Sequence, residues 1–401
     1  MAHVEDRWRD ARTKQPTDRD GTGRRWRVRY ADTEGRERSK SFDRRMDADR
    51  FRISVEADLL RGTYLDPDAG KITVRKYAEQ WLGTRSMEIT SRAAVAGRIA
   101  HITAGLGDRR LDQLARSPSI VSGWLAGLPV GASYAGDILG TLSSICTAAV
   151  DDGLIPRNPC RAASVKAPRV VRRKVVPWTA AQVTAVRAAL PERYRAMADC
   201  GSELGLRQGE ILGLPLDALD FLRRVVHVRV QVRALADGGL AFAPPKGGRE
   251  RDIPLPRSAS MPLAGHIRQF PPRPVTLPWR VPGGKPRTET LLFTGRHGGA
   301  IFRGDFNARA WRPARRTARM AAGRENGMHA LRHRYASVLL AGGVDIVRLS
   351  EYLGHHDPAF TLRIYSHLMP DAEDRNLRAI EAALEQEADG PAADGKAANE
   401  D

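Results

Sequence analysis

The hydrophobic pattern of the 401-residue chain changes its period along the sequence, and this change constrains the fold most strongly. Between residues 24 and 45 apolar and polar residues alternate, as in a β-strand, whereas from Ile72 to Cys160 apolar residues recur at helical spacing. From about residue 179, strand-like and helical stretches are interspersed. The sequence therefore predicts a multidomain α+β protein: a small N-terminal β-sheet with one helix, an all-α domain, and a mixed, mainly α domain.

The first predicted domain, residues 1–65, contains a row of arginines. One face of its first strand is apolar and is formed by Trp26, Val28 and Tyr30. The opposite face carries Arg25, Arg27 and Arg29. A second strand ends near Phe42, and helical spacing follows. Taken alone, the arginine row fits a solvated strand face as well as a contact with nucleic acid.

The second predicted domain, residues 72–162, is all-helical and is followed by a basic linker, residues 163–178. The predicted helices lie near Val74–Leu82, Arg92–Ala104, Ser119–Leu128 and Tyr134–Asp152. The linker contains almost no acidic residues but five candidate DNA-binding cations: Lys166, Arg169, Arg172, Arg173 and Lys174. A run with charges of one sign favours contact with phosphate over a merely solvated connection.

The third predicted domain covers residues 179–385. Thr179 is the expected N-cap of a helix that runs to Leu190. Strand-like stretches follow at Val225–Val232 and Arg251–Leu255, and the proline-rich stretch Phe270–Pro286 is expected to be irregular. The tail, residues 386–401, is rich in Ala, Gly, Asp and Glu and is predicted to be disordered.

Composition narrows the class of partner. The chain has 65 Lys and Arg against 47 Asp and Glu, a formal charge of +18, which favours a polyanionic partner. The N-terminus lacks the apolar run of a signal peptide, and no stretch is long and apolar enough to span a membrane. We therefore expect no membrane association. The three cysteines show no metal-binding or disulfide spacing, which fits a reducing cytoplasm.

Two short segments of the third domain carry charged residues at positions where they could serve a functional site. In Gly-Leu-Arg-Gln-Gly-Glu-Ile, residues 205–211, Arg207 and Glu210 lie one turn apart on a predicted helix. In Pro-Lys-Gly-Gly-Arg-Glu-Arg, residues 245–251, Lys246 lies at the tip of a predicted β-hairpin. Each has a plain alternative: a surface ion pair for the first and an exposed turn lysine for the second.

A third segment, His-Ala-Leu-Arg-His, begins a predicted helix on which His329 and Arg332 share a face. The rival interpretation is a zinc site formed by His329 and His333. The metallopeptidase pattern requires glutamate after its first histidine, and this chain has Ala330 there. We therefore expect no metal at these histidines.

A fourth segment contains Leu-Gly-His, ending at His355, and then Tyr365 in Tyr-Ser-His. In this order the four segments resemble the tyrosine recombinase (phage integrase) family, of the type carried by actinobacterial mobile elements. The match consists of Gly-Leu-Arg-x-Gly-Glu, Lys-x-Gly, His-x-Leu-Arg-His, Leu-Gly-His and Tyr-x-His, and it covers roughly residues 179–385. It extends loosely to an arm-type DNA-binding domain and a core-binding domain before it. Ala330 departs from the aspartate common in the family, which implies altered packing or hydrogen bonding rather than inactivity.

The resemblance implies a site-specific integrase that cuts and rejoins DNA through a 3′-phosphotyrosine intermediate, without metal, ATP or cofactor. It assigns as catalytic Arg207, Lys246, His329, Arg332, His355 and Tyr365, with Glu210 in support. Tyr365 is the implied nucleophile, and the two arginines neutralise the phosphate. His329 exchanges a proton with the tyrosine, Lys246 protonates the departing 5′ oxygen, and His355 hydrogen-bonds the phosphate.

The same resemblance implies double-stranded DNA attachment sites, a homotetramer on DNA, and an excisionase-type directionality factor, acting at the nucleoid of a bacterial cytoplasm. A C-terminal helix with Ile380, Ala383 and Leu384 would dock onto a neighbouring protomer or pack on its own domain. Two alternatives are a non-catalytic DNA-binding protein on the integrase scaffold and a type IB-like topoisomerase. The N-terminal sheet argues against the topoisomerase.

Overall fold

The computed structural model describes residues 2–62, 64, 66, 69–170, 175–368 and 381. Several predicted features lie outside these residues: Arg172, Arg173, Lys174, Ile380, Ala383, Leu384 and the acidic tail at 386–401. The chain divides into two compact units, Met1–Val171 and Arg172–Asp401. Within the described ranges, no helix combines the length and apolar character needed to cross a membrane.

The first unit begins with a three-stranded antiparallel sheet in the order β1-β2-β3. Its elements are β1 (His3–Asp6), β2 (Trp26–Ala31), β3 (Glu37–Phe42) and α1 (Arg45–Leu60). Val28 and Tyr30 on β2 are buried together with Ala48 and Val55 of α1, which confirms the predicted apolar strand face. β1 was not predicted, and it pairs with β2 along Asp6↔Trp26 to His3↔Arg29.

A second core in the first unit is wholly helical. Its helices are α2 (Val74–Thr84), α3 (Ile89–Leu106), α4 (Leu111–Arg116), α5 (Ser119–Ala126) and α6 (Ala132–Asp151). The four predicted helices are confirmed to within about one turn at each end. The prediction missed α4, because six residues are too few to display a helical period, although Leu111 and Leu114 are fully buried.

The second unit opens with three helices and two small antiparallel sheets. The helices are α7 (Ala180–Ala189), α8 (Glu192–Glu203) and α9 (Gln208–Leu212). The predicted cap is confirmed: the side chain of Thr179 accepts a hydrogen bond from the amide of Gln182. The strands are β4 (Leu219–Asp220), β5 (Val225–Val228), β6 (Gln231–Ala234), β7 (Leu240–Ala243) and β8 (Arg251–Pro254). One sheet has the order β4-β5-β8, and the other pairs β6 with β7.

The predicted irregular stretch Phe270–Pro286 is wrong in part. After α10 (Arg257–Gln269), β9 (Arg273–Pro278) pairs with β10 (Pro286–Leu291) as an antiparallel hairpin. The prolines hid the strand pattern, but they are tolerated at edges, where outward amides need no partner. Val275 is buried against the main core of the unit, and Leu277 packs beside it.

The last helices hold most of the motif residues. They are α11 (Arg303–Phe306), α12 (Arg312–Thr317), α13 (His329–Ala341), α14 (Ile346–Leu353) and α15 (Pro358–Tyr365). A side chain at Gly201 of α8 would lie 2.8 Å from Leu331, so glycine allows α8 and α13 to pack closely. A small core joins α13 to α15 through Leu340, Leu353 and Tyr365. These packings fix α13, α14 and α15 around one site.

Candidate active site

Arg332 occupies the centre of the site on α13 and is only 1% exposed. Its Nη1 donates to the carbonyl oxygen of Gly205 at 2.7 Å, and its Nη2 donates to that of Leu353. Burial, together with the charge of Arg207, lowers the pKa of Arg332 to about 9. The side chain therefore remains a cation at neutral pH, held by neutral acceptors.

Glu210 is also 1% exposed and binds two arginines. Arg251 donates from Nη1 and Nη2 to its two carboxylate oxygens, at 2.9 and 2.7 Å. Arg207 donates from its Nη1 at 2.9 Å and from its backbone amide at 2.9 Å. Burial raises the pKa of Glu210, but the bidentate bond from Arg251 and the nearby cations outweigh this and lower it to about 2. A fully exposed surface ion pair is thus excluded, because Glu210 is buried and Arg207 is half-buried.

Two details of this region differ from the sequence prediction. Arg207 is not inside a helix: it is the N-cap of α9, and Glu210, the third helical residue, accepts hydrogen bonds from both the backbone amide and the side chain of Arg207. Arg251 was missed, although the sequence held a signal for it. It alternates with Ile253 and Leu255 on the inward face of a strand, where an arginine needs a partner.

At the C-terminal end of α14, four successive backbone carbonyl oxygens, those of residues 352–355, each accept a hydrogen bond from an arginine side chain. Their donors are, in order, Arg251 (2.7 Å), Arg332, Arg207 (2.9 Å) and Arg249 (3.3 Å). Gly354 has φ +60°, the left-handed conformation that ends a helix and turns its carbonyl outward. Since the C-terminal end of a helix carries partial negative charge, it attracts guanidinium groups.

His355 is held in a defined tautomer. Its Nε2 lies 3.1 Å from Nη2 of Arg332, and its Nδ1 lies 2.7 Å from Oγ1 of the buried Thr361. Because a guanidinium can only donate, Nε2 accepts and Nδ1 carries the proton. Burial and the charges of Arg332 and Arg207 lower the pKa of His355 to about 3, so the ring is neutral. No sequence motif marked Thr361.

Tyr365 is 1% exposed, and its hydroxyl lies 2.7 Å from Nδ1 of His333. Burial raises the pKa of Tyr365 to about 12, against the opposing charge of Arg332. Burial and Arg332 lower the pKa of His333 to about 4, so its imidazole is neutral and can receive a proton. The nucleophile candidate is therefore hydrogen-bonded to a neutral base in the free protein.

The expected contact between His329 and Tyr365 is absent, because His333 occupies the position next to the hydroxyl. The rings of His329 and His333 meet edge to face, with centroids 4.6 Å apart. The side chain of His329 keeps contact with solvent, yet desolvation and neighbouring cations lower its pKa to about 4. The sequence showed both histidines on one helix, but one turn of α13 decides which reaches the tyrosine.

Lys246 does not lie at a hairpin tip, because β7 and β8 pair with β6 and β5 and not with each other. It lies in a turn between the two sheets, and its side chain is exposed. It makes no hydrogen bond or ion pair with a residue that the structure describes. The structure thus leaves Lys246 apart from the buried cluster of Arg207, Arg332 and Tyr365.

The arginine row of the N-terminal sheet is not a free cationic face. Arg25 binds Asp6 at 2.8 Å, and Arg27 binds Glu5 at 3.3 Å, both on the unpredicted strand β1. Arg29 binds Glu5 at 3.1 Å and Glu37 of β3 at 2.9 Å. In the linker, Lys166 and Arg169 are exposed and form no ion pair with any residue of the described ranges.

A search of the described residues finds no group of three His, Cys, Asp or Glu side chains that could hold a metal ion. At the histidines of α13, the donors near Tyr365 are therefore imidazole and guanidinium nitrogens.

Comparison with known proteins places this geometry among integrases. Residues 179–371 match the phage integrase family. The chain is 27% identical over 376 residues to the putative prophage phiRv2 integrase of Mycobacterium tuberculosis, covering 90% of this chain and 93% of that protein. It is 28% identical over 305 residues to tyrosine recombinase XerC of Mycobacterium bovis, covering 70% of this chain and 88% of XerC.

Solved structures show the same fold. The Tn1549 transposon integrase in complex with transposon right end DNA superimposes with a TM-score of 0.64 at 20% identity, covering 78% of this chain and 99% of that chain. A lambda integrase dimer bound to a COC′ core site gives a TM-score of 0.57 at 17% identity, covering 86% and 92%. Lambda integrase has also been solved as a tetramer bound to a Holliday junction, with a TM-score of 0.54 at 17% identity, covering 82% and 93%.

Proposed function

We propose that this protein, which matches the phage integrase family through residues 179–371, is a tyrosine recombinase and that Tyr365 is the nucleophile with which it cuts and rejoins DNA. One observation carries this proposal: the hydroxyl of Tyr365 lies 2.7 Å from Nδ1 of a neutral His333, within a buried cluster of arginines. The function is site-specific recombination that integrates and excises a mobile genetic element.

In the proposed step, the hydroxyl oxygen of Tyr365 attacks the scissile phosphorus. A bond from phosphorus to tyrosine forms, and the bond from phosphorus to the 5′ oxygen breaks. The tyrosine proton passes to Nδ1 of His333, and Lys246 gives a proton to the leaving 5′ oxygen. His329 packs edge to face against His333 and would position that ring. The covalent phosphotyrosine keeps the bond energy, so rejoining needs no ATP.

Arg207 and Arg332 would neutralise the nonbridging oxygens of the phosphate. Backbone carbonyls hold both side chains in place, and a carbonyl orients a guanidinium without cancelling its charge. Glu210 and Arg251 position Arg207 from beneath. Preorganised charge of this kind lowers the barrier, because nothing has to reorganise during the reaction.

His355 would hydrogen-bond the phosphate after its contact with Arg332 is replaced. Donation from Nε2 requires the proton to leave Nδ1, and Oγ1 of Thr361 permits this because a hydroxyl can donate as well as accept. Thr361 is therefore a proposed positioning residue. Lys246 is exposed, which leaves it free to reach the 5′ oxygen of a bound strand.

The remaining parts of the chain are proposed to bind DNA. Residues 1–65 would form the arm-type domain, 72–162 the core-binding domain, 163–178 the linker, 179–385 the catalytic domain, and 386–401 a tail. We further propose a homotetramer on double-stranded attachment sites, with a directionality factor for excision, at nucleoid DNA in a bacterial cytoplasm. The lambda integrase structures, a dimer on a core site and a tetramer on a Holliday junction, support this assembly.

The test is covalent capture on a nicked suicide substrate carrying the attachment site. The native protein should give a DNA adduct that survives denaturing electrophoresis, in the presence of EDTA as well as without it. Tyr365→Phe should give none, while the control Tyr352→Phe should match the native protein. Absence of adduct from the native protein would favour the non-catalytic alternative. Relaxation of supercoiled plasmid that lacks an attachment site would favour the topoisomerase.

A further inference from the structure

The hairpin formed by β9 and β10 has no part in the proposed chemistry, yet it lies beside the strand that leads to Lys246. Trp279, directly after β9, forms a parallel bridge with Phe242 of β7. The amide of Arg280 donates to the carbonyl oxygen of Phe242 at 2.7 Å. The hairpin is therefore joined to β7 by this bridge, although β9 and β10 form a sheet of their own.

The direction of this pairing places the end of the hairpin. Because Trp279 and Phe242 pair in parallel, β7 and β9 leave the sheet at the same end. Lys246 follows β7 by a few residues, and Arg280 follows β9. The turn of residues 279–285, named here the hairpin tip, thus projects from the end of the sheet where the Lys246 turn begins.

The hairpin tip is ordered by specific contacts. Arg280 has φ +67°, which is unfavourable for a residue with a Cβ, and its carbonyl accepts a hydrogen bond from Arg233. A Cβ on Gly284 would lie 2.2 Å from the carbonyl oxygen of Trp279, so this position requires glycine. The guanidinium of Arg287 lies 4.5 Å from the Trp279 ring centroid. A left-handed backbone conformation that is held by several contacts suggests that the conformation of this turn has a function.

The charge of the hairpin is strongly one-sided. Its exposed cations between residues 273 and 291 are Arg273, Arg280, Lys285 and Arg287. The same stretch contains one acidic residue, Glu289, which binds Arg287 at 2.5 Å. Lys285 makes no ion pair with a described residue. The tip therefore presents a net positive surface at the end of the sheet where the Lys246 turn begins.

We infer that the hairpin tip binds the phosphate backbone of duplex DNA beside the phosphodiester that Lys246 serves. This inference rests on the proposed function, because Lys246 must reach the leaving 5′ oxygen of a bound strand. Arginine and lysine without neighbouring base-reading amides favour contacts that position DNA without reading its sequence. An acidic protein segment is the competing partner, and the Lys246 turn next to the tip favours DNA.

The test removes the tip charges from the full-length protein. Arg280→Asn keeps the left-handed backbone that asparagine tolerates, and it is combined with Lys285→Ala. The matched control, Arg257→Ala with Arg268→Ala, removes the same charge from exposed positions of α10. Affinity for the attachment-site duplex is measured over a series of salt concentrations, and circular dichroism verifies folding of each variant.

The tip variant should lower the slope of log affinity against log salt by about one unit per lost phosphate contact, about two in all. The control pair should keep the native slope. An unchanged slope in the tip variant, or an equal fall in the control, would overturn the inference. So would loss of polyglutamate binding in the tip variant with native DNA binding, since the partner would then be acidic protein.

Covalent capture separates this inference from the proposed function. If the native protein forms its adduct and the tip variant keeps the native salt slope, the inference fails alone. If the slope falls as expected but no adduct forms from the native protein, the tip binds DNA and the proposed reaction fails.

Discussion

Arginines of the N-terminal sheet and arginines around Tyr365 are held by different partners. Arg25, just before β2, and Arg27 and Arg29 on it bind the three carboxylates of Asp6, Glu5 and Glu37. Around Tyr365 lie Arg207, Arg251 and Arg332: the first two share the single carboxylate of Glu210, and backbone carbonyls accept hydrogen bonds from all three. The first group is neutral in sum, and the second keeps two uncompensated positive charges.

This difference shows why arginine content alone did not locate the function. A carboxylate cancels the charge of the arginine that it orients, whereas a carbonyl oxygen orients the side chain and leaves its charge available. Exposed ion pairs also contribute little stability, about 0 to 1 kcal/mol each. The formal charge of +18 is therefore not spread evenly over possible DNA contacts. The cations that remain uncompensated lie around Tyr365 and at exposed positions such as Lys246.

The largest effect is expected from Arg332→Lys. An ammonium group cannot span two carbonyl oxygens and a phosphate at once, so cleavage should fall on the order of 100- to 1,000-fold. The matched substitution Arg27→Lys should leave cleavage unchanged, because Arg27 binds Glu5. Single-turnover cleavage of the suicide substrate measures both. Equal losses in the two variants would remove the distinction between the regions.

Next in size is His333→Gln, which should slow cleavage on the order of 100-fold by removing the proton acceptor of Tyr365. The pKa of His333 is about 4, so native cleavage should stay level from pH 8 to pH 5 and decline toward pH 4. The variant should instead accelerate with rising pH, as hydroxide takes the tyrosine proton. A native pH profile in the variant would show that His333 is structural. His329→Gln, lacking the direct contact, should have the smaller effect.

A third expectation concerns stability. Glu210→Gln leaves the buried Arg251 and the half-buried Arg207 without their carboxylate and should destabilise the protein by about 3 kcal/mol. Because the pKa of Glu210 is lowered to about 2, its contribution is complete above about pH 4.5 and is lost as pH falls toward 2. Urea unfolding at pH 7 measures the loss. Glu5→Gln, at a half-buried pair on the sheet surface, should cost less than about 1 kcal/mol. A similar cost in both variants would contradict the comparison.

Much of the fold could be predicted from the sequence, because periodicity reports which face of an element is buried. The capped start of α7 and the helices of the second domain followed from local signals. The misses have long-range causes. β1 forms only because β2 supplies its partner, and the β9 and β10 hairpin is recognisable only once its prolines are seen at edges.

The sequence predicted many of the residues that form the candidate site, but it did not predict which of them contact each other. The structure places Arg332, His355 and Tyr365 around one cluster, and the sequence had marked them through motifs that resemble the tyrosine recombinase family. The sequence could not show that His333, rather than His329, faces the tyrosine, since both lie on α13. Nor could it show that Arg251 binds Glu210, because these residues are 41 positions apart in the chain. Thr361 is only six residues from His355, but no motif marked its hydroxyl as a partner of that histidine.

The smallest effect is expected from removing the carboxylate that binds two arginines of the N-terminal sheet. Glu5→Gln removes the carboxylate shared by Arg27 and Arg29, so their charges should become available to DNA. The slope of log affinity against log salt should steepen by about one to two units, while cleavage at saturating DNA stays native. A shallower slope would mean that these arginines already contact DNA in the native protein.

The most direct test of the central claim is to identify the residue that carries the DNA. The adduct from the suicide substrate is digested with protease and nuclease, and the nucleotide-bearing peptide is sequenced by mass spectrometry. We expect the 3′ phosphate on Tyr365, the tyrosine bound to His333 in a cluster of carbonyl-held arginines. A nucleotide on Tyr352 or Tyr335 instead would contradict the account.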